Sequence, residues 1–441
     1  MQLIRPVFGE ECFERFMQAL DEESPVSIRL NPKRMEDTSK SNHNYPLSIL
    51  HSQLKEVPWC RNGYYLKQRP NFTFDPLLHA GCYYVQEASS MFLDEVLRQH
   101  LPSLTAGKGL QTIDNRPLAG LDLCAAPGGK STLLRAALPE DSVLYSNEPN
   151  RKRASILLEN VTKWGYKNHY VTNLYPKDYR KAKMKFDLIL CDVPCSGEGM
   201  FRKDPDTIKE WSPQNVMKCQ QLQREIVSDA WECLNDGGLL IYSTCTYNIH
   251  EDEENVRWII DELGAEALQV ETKPEWGITG SLLEGFDKPV YRFIPGYTRG
   301  EGLFMAVLRK PGEPSGNSRY QKDYHSLVTM LPQCGNNITT GRYHHYHSAV
   351  TTLPQNGNDV TTMGTPRVDV DYSLAIAYLR GEAITLPPDT PRGLVTVSFM
   401  GQPLGQAKNI GNRANNLYPK EWRIKSTHVP PTYEPLFCFT Q

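Results

Sequence analysis

Two cysteines stand where thiol chemistry would need them. Cys195 lies in FDLILCDVPCSGEGMFRKDPD (186–206) and Cys245 in GGLLIYSTCTYNIHEDEEN (237–255), each just past an apolar run that reads as a buried strand. In a parallel sheet such strand ends share one edge, which brings both thiols and Asp192 to one pocket. A lone cysteine after a strand is ordinarily an inert core thiol; a pair beside an acid and a cofactor loop is not. A thiolate adding to carbon 6 of cytosine would make carbon 5 nucleophilic enough to take a methyl group. An acid at ring N3, for which Asp192 is the candidate, would stabilise the developing charge, and a base must then remove the carbon 5 proton. The second thiol would assist release.

The methyl donor would have to sit in GLDLCAAPGGKST (120–132), where a strand ends in a glycine-rich turn before a helix. The fragment GKS resembles the end of a phosphate-binding loop, but that motif needs glycine five residues before Gly129, where Cys124 stands. A dinucleotide GxGxxG is absent as well. Glu148 ends the next apolar run, SVLYSNEPN, about 20 residues after Gly128, the usual distance of a ribose-binding carboxylate. An adenosine ligand without a pyrophosphate fits best, and S-adenosylmethionine is such a ligand.

The elements that must position these groups are legible as a repeat of strand and helix. From about 80 to 310 the runs LDLCA, SVLYSN, HYVTNL, FDLILCDV, GLLIYST and LFMAVLRK alternate with amphipathic stretches such as Arg151 to Trp164 and Val216 to Leu234. This pattern predicts an α/β domain with a mostly parallel sheet. Ahead of it, helical periodicity (Phe8 to Leu20) and SPVSIRLNPKR suggest a small α/β module. Residues 311–365 hold a near-repeat, YHSLVTMLPQCGNNITT and YHSAVTTLPQNGNDVTT offset by 22 residues, and read as a linker. Its RYHHYHS is an alternative metal-binding stretch. Apolar segments return from about 366 (SLAIAYLRG, GLVTVSF, PLGQAKNIGNR) and end in the basic, aromatic NNLYPKEWRIK, which predicts a strand-rich C-terminal domain.

Composition narrows the class. The 441 residues are 39% hydrophobic and 22% charged, enough for several cores, and no apolar run reaches the roughly 20 residues of a membrane span. The opening carries acids at Glu10 and Glu11 and lacks a secretory pattern, so a cytoplasmic protein is expected. The 11 cysteines include no CxxC pair, which argues against a zinc ribbon, and no metal is expected. Net charge is −3, yet Arg151 to Lys185 holds ten Lys or Arg against Glu159 and Asp178, a stretch that would suit RNA phosphates or a merely solvated surface.

DLCAAPGGK, DVPCSGEGMFRKDP and YSTCTYN resemble the signature segments of the Nol/Nop/Sun family of RNA cytosine-5 methyltransferases, and GCYYVQEASSM (81–91) resembles the family's lead into its catalytic domain. The resemblance implies a Rossmann-like, S-adenosylmethionine-dependent domain with Cys245 as nucleophile and Cys195 in product release. It places cofactor contacts at Cys124, Ala125, Ala126, Pro127, Gly128, Gly129, Lys130, Glu148 and Asp192, with Asn173 of VTNLYPKD where some relatives carry Asp. Where relatives often show ENE, this chain has Glu251, Asp252 and Glu253, read here as acids favourable at a helix start. Arg202 and Lys203 are read as phosphate contacts or solvated charges. The module order resembles the RsmF-type bacterial branch, which implies an RNA-binding N-terminal module (1–78), a catalytic domain (79–310), the linker (311–365) and a PUA-like domain (366–441). The expected substrate is 16S ribosomal RNA or the small subunit, bound by a monomer. The alternatives are the same chemistry on transfer RNA and a non-catalytic ribosome assembly factor.

Overall fold

The structure is a computed structural model that describes residues 4–37, 47–49, 54–105, 116–204, 206–313, 350–351, 365–426, 428–430, 433 and 436–439. Most of the 311–365 segment, including the first repeat copy and RYHHYHS, lies outside the described residues.

The N-terminal module runs through α1 (Arg5–Leu20), β1 (Ser27–Leu30), α2 (Pro32–Asp37), β2 (Leu47–Ile49), β3 (Lys55–Glu56), β4 (Gly63–Tyr65), α3 (Pro76–His79) and β5 (Tyr83–Val85). Its sheet has the order β3-β4-β1-β5. Because β5 pairs antiparallel with β1, the sheet extends past the boundary placed at residue 78. The segment GCYYVQ that reads as an entry to the catalytic domain is thus also an edge strand of the module before it.

After α4 (Leu93–Thr105), the catalytic unit alternates β6 (Ala119–Asp122), α5 (Gly129–Ala137), β7 (Val143–Asn147), α6 (Arg151–Trp164), β8 (His169–Thr172), α7 (Pro176–Lys181) and β9 (Phe186–Asp192). Then follow α8 (Asp206–Glu210), α9 (Pro213–Cys233), β10 (Leu234–Thr244), α10 (Glu253–Leu263), β11 (Glu266–Ala267), β12 (Tyr291–Phe293) and β13 (Leu303–Arg309). The sheet order is β11-β13-β10-β9-β6-β7-β8-β14, where β14 is Val350–Thr351 and β12 pairs with β13. The five strands from β10 to β8 are parallel, while LFMAVLRK, as β13, runs antiparallel to β10. The order reverses between β6 and β9, the switch point at which such sheets open a crevice. Apolar side chains alternate to the two faces, as in β9, where Leu188 and Leu190 join the core under α4 and α5 and Ile189 and Cys191 join that under α9 and α10.

The C-terminal domain has β15 (Arg367–Asp369), α11 (Tyr372–Leu379), β16 (Gly393–Phe399), β17 (Gln402–Asn409) and β18 (Ala414–Asn416) in one sheet with its helix. Among the described residues its core is shared. Ala375, Tyr378, Val395 and Val397 belong to one buried cluster with Ile28, Leu30, Leu77 and Cys82 of the N-terminal module. The joint is also polar: buried Asp75 accepts hydrogen bonds from Tyr83 (2.6 Å) and Tyr433 (3.0 Å). A last strand, β19 (Phe437–Phe439), pairs antiparallel with β2.

Candidate active site

The loops after β6, β7, β8, β9 and β10 all open at the same edge of the sheet, and the residues singled out above sit on them. Leu123 to Gly128 forms the first turn. The carbonyls of Ala126, Pro127, Gly128 and Gly129 are each taken by the protein's own donors: Arg153 (2.9 Å), Asn160 (2.8 Å), Thr132 (2.9 Å) and Arg29 (3.2 Å). Gly128 caps α5 at φ 118°, a conformation that favours glycine. What the turn offers a ligand is therefore the unpaired amides of the α5 N-terminus, a seat for a carboxylate.

Glu148 is buried, its carboxylate accepting from the Asn150 amide (2.8 Å) and facing Arg153 at 3.3 Å. Asn173 spends both amide hydrogens on the carbonyls of Glu148 (2.6 Å) and Pro149 (2.8 Å), which leaves its side-chain oxygen as an acceptor beside the same turn. Lys130 is bonded to Asp192 at 2.9 Å. A helix N-terminus for a carboxylate, a carboxylate for ribose hydroxyls and an amide oxygen for an exocyclic amine fit S-adenosylmethionine.

Asp122, at the end of β6, bears on stability. It is 1% exposed, accepts a hydrogen bond from Ser131, and burial pushes it up to about 7 against that bond. Between about pH 4 and 7 the folded chain thus keeps a proton that the unfolded chain releases, and stability falls as pH rises through that window. Asp122→Asn is expected to remove this part of the decline in urea midpoint between pH 5 and pH 8. An unchanged slope would show that Asp122 is already ionised in the folded chain.

The two thiols meet. Cys195 Sγ and Cys245 Sγ are 3.1 Å apart, a hydrogen-bonded pair of free thiols. The bond from Cys195 lowers Cys245 below the ordinary thiol value, against burial and Asp192 and with the help of Lys130. The same bond, with burial, raises Cys195. Burial pushes the other shifted thiols up, Cys60 and Cys82 to about 12. Cys245 is the one lowered among the described cysteines. Asp192 stands next to the pair, its second oxygen accepting from Ser243 at 2.7 Å.

The spacing of the thiols is held by residues whose role motif spacing alone did not show. Glu198, 1% exposed, accepts from Thr246 Oγ1 (2.6 Å), Tyr247 N (2.8 Å) and Asn248 N (3.0 Å) with one oxygen and from Trp211 Nε1 (3.0 Å) with the other. Gly199 N donates to the Cys245 carbonyl at 2.7 Å, and a Cβ on Gly199 would lie 2.5 Å from that oxygen. Glu251 binds Ser196 N (3.0 Å) and Gln223 (2.7 Å), and Gln223 also holds Pro194 O (2.8 Å).

Glu251, Asp252 and Glu253 stand at the start of α10, as expected, and all three are fully buried. Arg292, itself 1% exposed, forks onto Glu253 and lies 3.0 Å from Asp252, and it donates to Tyr247 O at 3.0 Å. Arg202 is neither solvated nor set for phosphate: it is buried against Glu301 (2.8 Å), Ala19 O and Gly300 O (both 2.8 Å), clasping α1 to the catalytic unit. Lys203 faces the same Glu301 at 3.8 Å. Among the described residues no group of three His, Cys, Asp or Glu could hold a metal ion, and no helix is long and apolar enough to cross a membrane.

Comparison with known proteins agrees along the chain. Residues 1–88 match the N-terminal domain of 16S rRNA methyltransferase RsmF, 113–309 match 16S rRNA methyltransferase RsmB/F, and 365–424 match the methyltransferase RsmF PUA domain. Ribosomal RNA small subunit methyltransferase F of Salmonella heidelberg is 29% identical over 93% of this chain and 92% of its own length. The protein of the same name from Cronobacter sakazakii is 35% identical over 58% of this chain, which spans 52% of that relative. Among solved structures, a methyltransferase homolog protein from Pyrococcus horikoshii is 28% identical with a TM-score of 0.52, covering 68% of this chain and 91% of its own. NSun6 from the same organism, solved with SFG, shares the fold at a TM-score of 0.54 and 20% identity, over 71% of this chain and 97% of its own. With three family segments in the same order as its three structural units, the chain belongs to the 16S rRNA methyltransferase RsmB/F family.

Proposed function

We propose that the chain is an S-adenosylmethionine-dependent RNA (cytosine-5) methyltransferase acting on 16S ribosomal RNA in the cytoplasm, with Cys245 as nucleophile. The observation that carries this is the thiol pair at 3.1 Å, asymmetric in acidity, at the ligand edge beside Asp192. S-adenosylmethionine, when bound, supplies an electrophilic methyl group. The Cys245 thiolate adds to carbon 6 of an unstacked cytosine, and the electron pair pushed to carbon 5 would take the methyl as its bond to the sulfonium sulfur breaks, leaving S-adenosylhomocysteine. A base then removes the carbon 5 proton, the double bond re-forms, and the sulfur leaves carbon 6. Asp192, held by Lys130 and Ser243, is the candidate for the contact at ring N3. Cys195 keeps its proton beside Cys245 and is the candidate to promote sulfur departure. Of the ten basic residues from Arg151 to Lys185, all but Lys163 are exposed and suited to phosphate contacts.

The test is Cys195→Ala expressed in cells and run on a denaturing gel, with Cys195→Ala/Cys245→Ala as control. A protein–RNA adduct that needs Cys245 is expected, and sequencing the attached RNA separates 16S from transfer RNA. An adduct surviving in the double variant, or none in the single variant of an active enzyme, overturns the division of roles.

A further inference from the structure

We infer that a groove between the N-terminal module, α6 and the C-terminal segment around Trp422 seats one unpaired nucleotide of the RNA, away from the methyl-transfer pocket. The inference rests on the RNA-methyltransferase reading above and names a second place where that substrate is held. The groove is a cavity of about 600 Å³, within the range of nucleotide-sized ligands, and it is lined by Trp164, Trp422, Tyr84, Lys163, Arg423 and Lys425 among others.

Its chemistry matches a base with its phosphate. Trp422 is half-buried, standing edge-on to Tyr418 at 6.1 Å, with the Lys163 ammonium 5.9 Å from its ring. Aromatic rings interleaved with cations are the platform on which single-stranded bases stack. Glu159 is the one acid in the lining and is already bonded to Lys163. Arg423 and Lys425 have no ion-pair partner among the described residues, so the groove keeps a net positive charge. Two buried donors of lining residues, Arg423 Nε and Trp164 Nε1, have no acceptor among the described residues, and Trp164 is 1% exposed. Acceptors and a flat π-face are what a nucleotide brings.

Position decides which nucleotide. Helix α6 begins at the ligand edge with the exposed Arg151, Lys152 and Arg153 and reaches the groove at Lys163 and Trp164. Its 14 residues span about 20 Å, so the groove takes a flanking nucleotide and not the target cytosine. Asn160 joins the two regions, donating to Tyr84 Oη (3.3 Å) and to Pro127 O (2.8 Å) of the cofactor turn.

The test uses the full chain with Trp422→Ala, Trp422→Phe and Lys425→Gln, measuring affinity for a 16S rRNA transcript by filter binding across salt and affinity for S-adenosylmethionine by calorimetry. Trp422→Ala is expected to weaken RNA binding about tenfold, with most of the affinity restored in Trp422→Phe and cofactor affinity unchanged in both. Lys425→Gln, on the exposed surface, is expected to reduce the salt slope by about one. Photocrosslinking of 4-thiouridine RNA to the wild-type chain is expected to mark the peptide holding Trp422. Wild-type affinity and salt slope in all three variants, with no such crosslink, overturn the groove and leave the methyltransferase reading standing. Failure of the wild-type chain to bind RNA at all overturns the reading beneath it.

Discussion

Cys245→Ala is expected to lower methyl transfer by roughly 10³-fold or more while leaving affinities for RNA and S-adenosylmethionine close to wild type. The side chain is removed, but the loop that carries it is held through other atoms: Gly199 N bonds the Cys245 carbonyl, and Glu198 gathers Thr246, Tyr247 and Asn248. The loss should therefore appear in kcat and not in binding, as measured by transfer of a labelled methyl group under single-turnover conditions. Cys245→Ser is expected to fail nearly as badly, since a hydroxyl lacks the thiolate fraction that addition needs. Cys195→Ala is expected to differ in kind. Without the hydrogen bond that lowers Cys245, the acid limb of the rate of adduct formation moves to higher pH. Full activity in Cys245→Ala would remove covalent catalysis from the account.

The second large effect is on stability. Arg292→Met is expected to lower stability by about 3–5 kcal/mol, because it strips the cation from Asp252 and Glu253, both fully buried, and also frees the Tyr247 carbonyl. Urea denaturation would read this as a lower midpoint. The deficit should shrink as pH falls, since a buried carboxyl without a partner is tolerated better once neutral. Burial already pushes Asp252 well above the usual carboxylate range. Arg292→Lys keeps the charge without the two-pronged geometry and is expected to recover part of the loss. A midpoint for Arg292→Met equal to wild type at pH 8 would mean that the site hydrates without cost.

Arg292 also marks where reading the chain stops. The strands and the two thiols are legible because apolar runs such as FDLILCDV advertise burial and a cysteine at their end is chemically conspicuous. The amphipathic stretch from Arg151 to Trp164 coincides with α6 because its turn ends are written locally, in the Asn150 side chain that caps it and in Gly165 after it. Charged residues carry no such local sign. Arg202, Glu198, Glu251 and Arg292 look like surface in the sequence, and each is buried because a partner 28 to 99 residues away meets it. Asn173 is legible as a position, but not the way its amide hydrogens turn inward to the Glu148 turn and leave only its oxygen as an acceptor. The seam between the two ends of the chain is further still from any local pattern.

That seam has a consequence for synthesis. Ile28, Leu30 and Leu77 leave the ribosome about 300 to 370 residues ahead of Ala375, Val395 and Val397, with which they share one buried cluster. At roughly 5–20 residues per second this is a delay of about 15–75 s. Through that interval the catalytic unit can close its own sheet while the N-terminal module waits with an open apolar face. The N-terminal module is made before the catalytic unit and completed after it, and it stays exposed to misassembly until the C-terminal domain arrives.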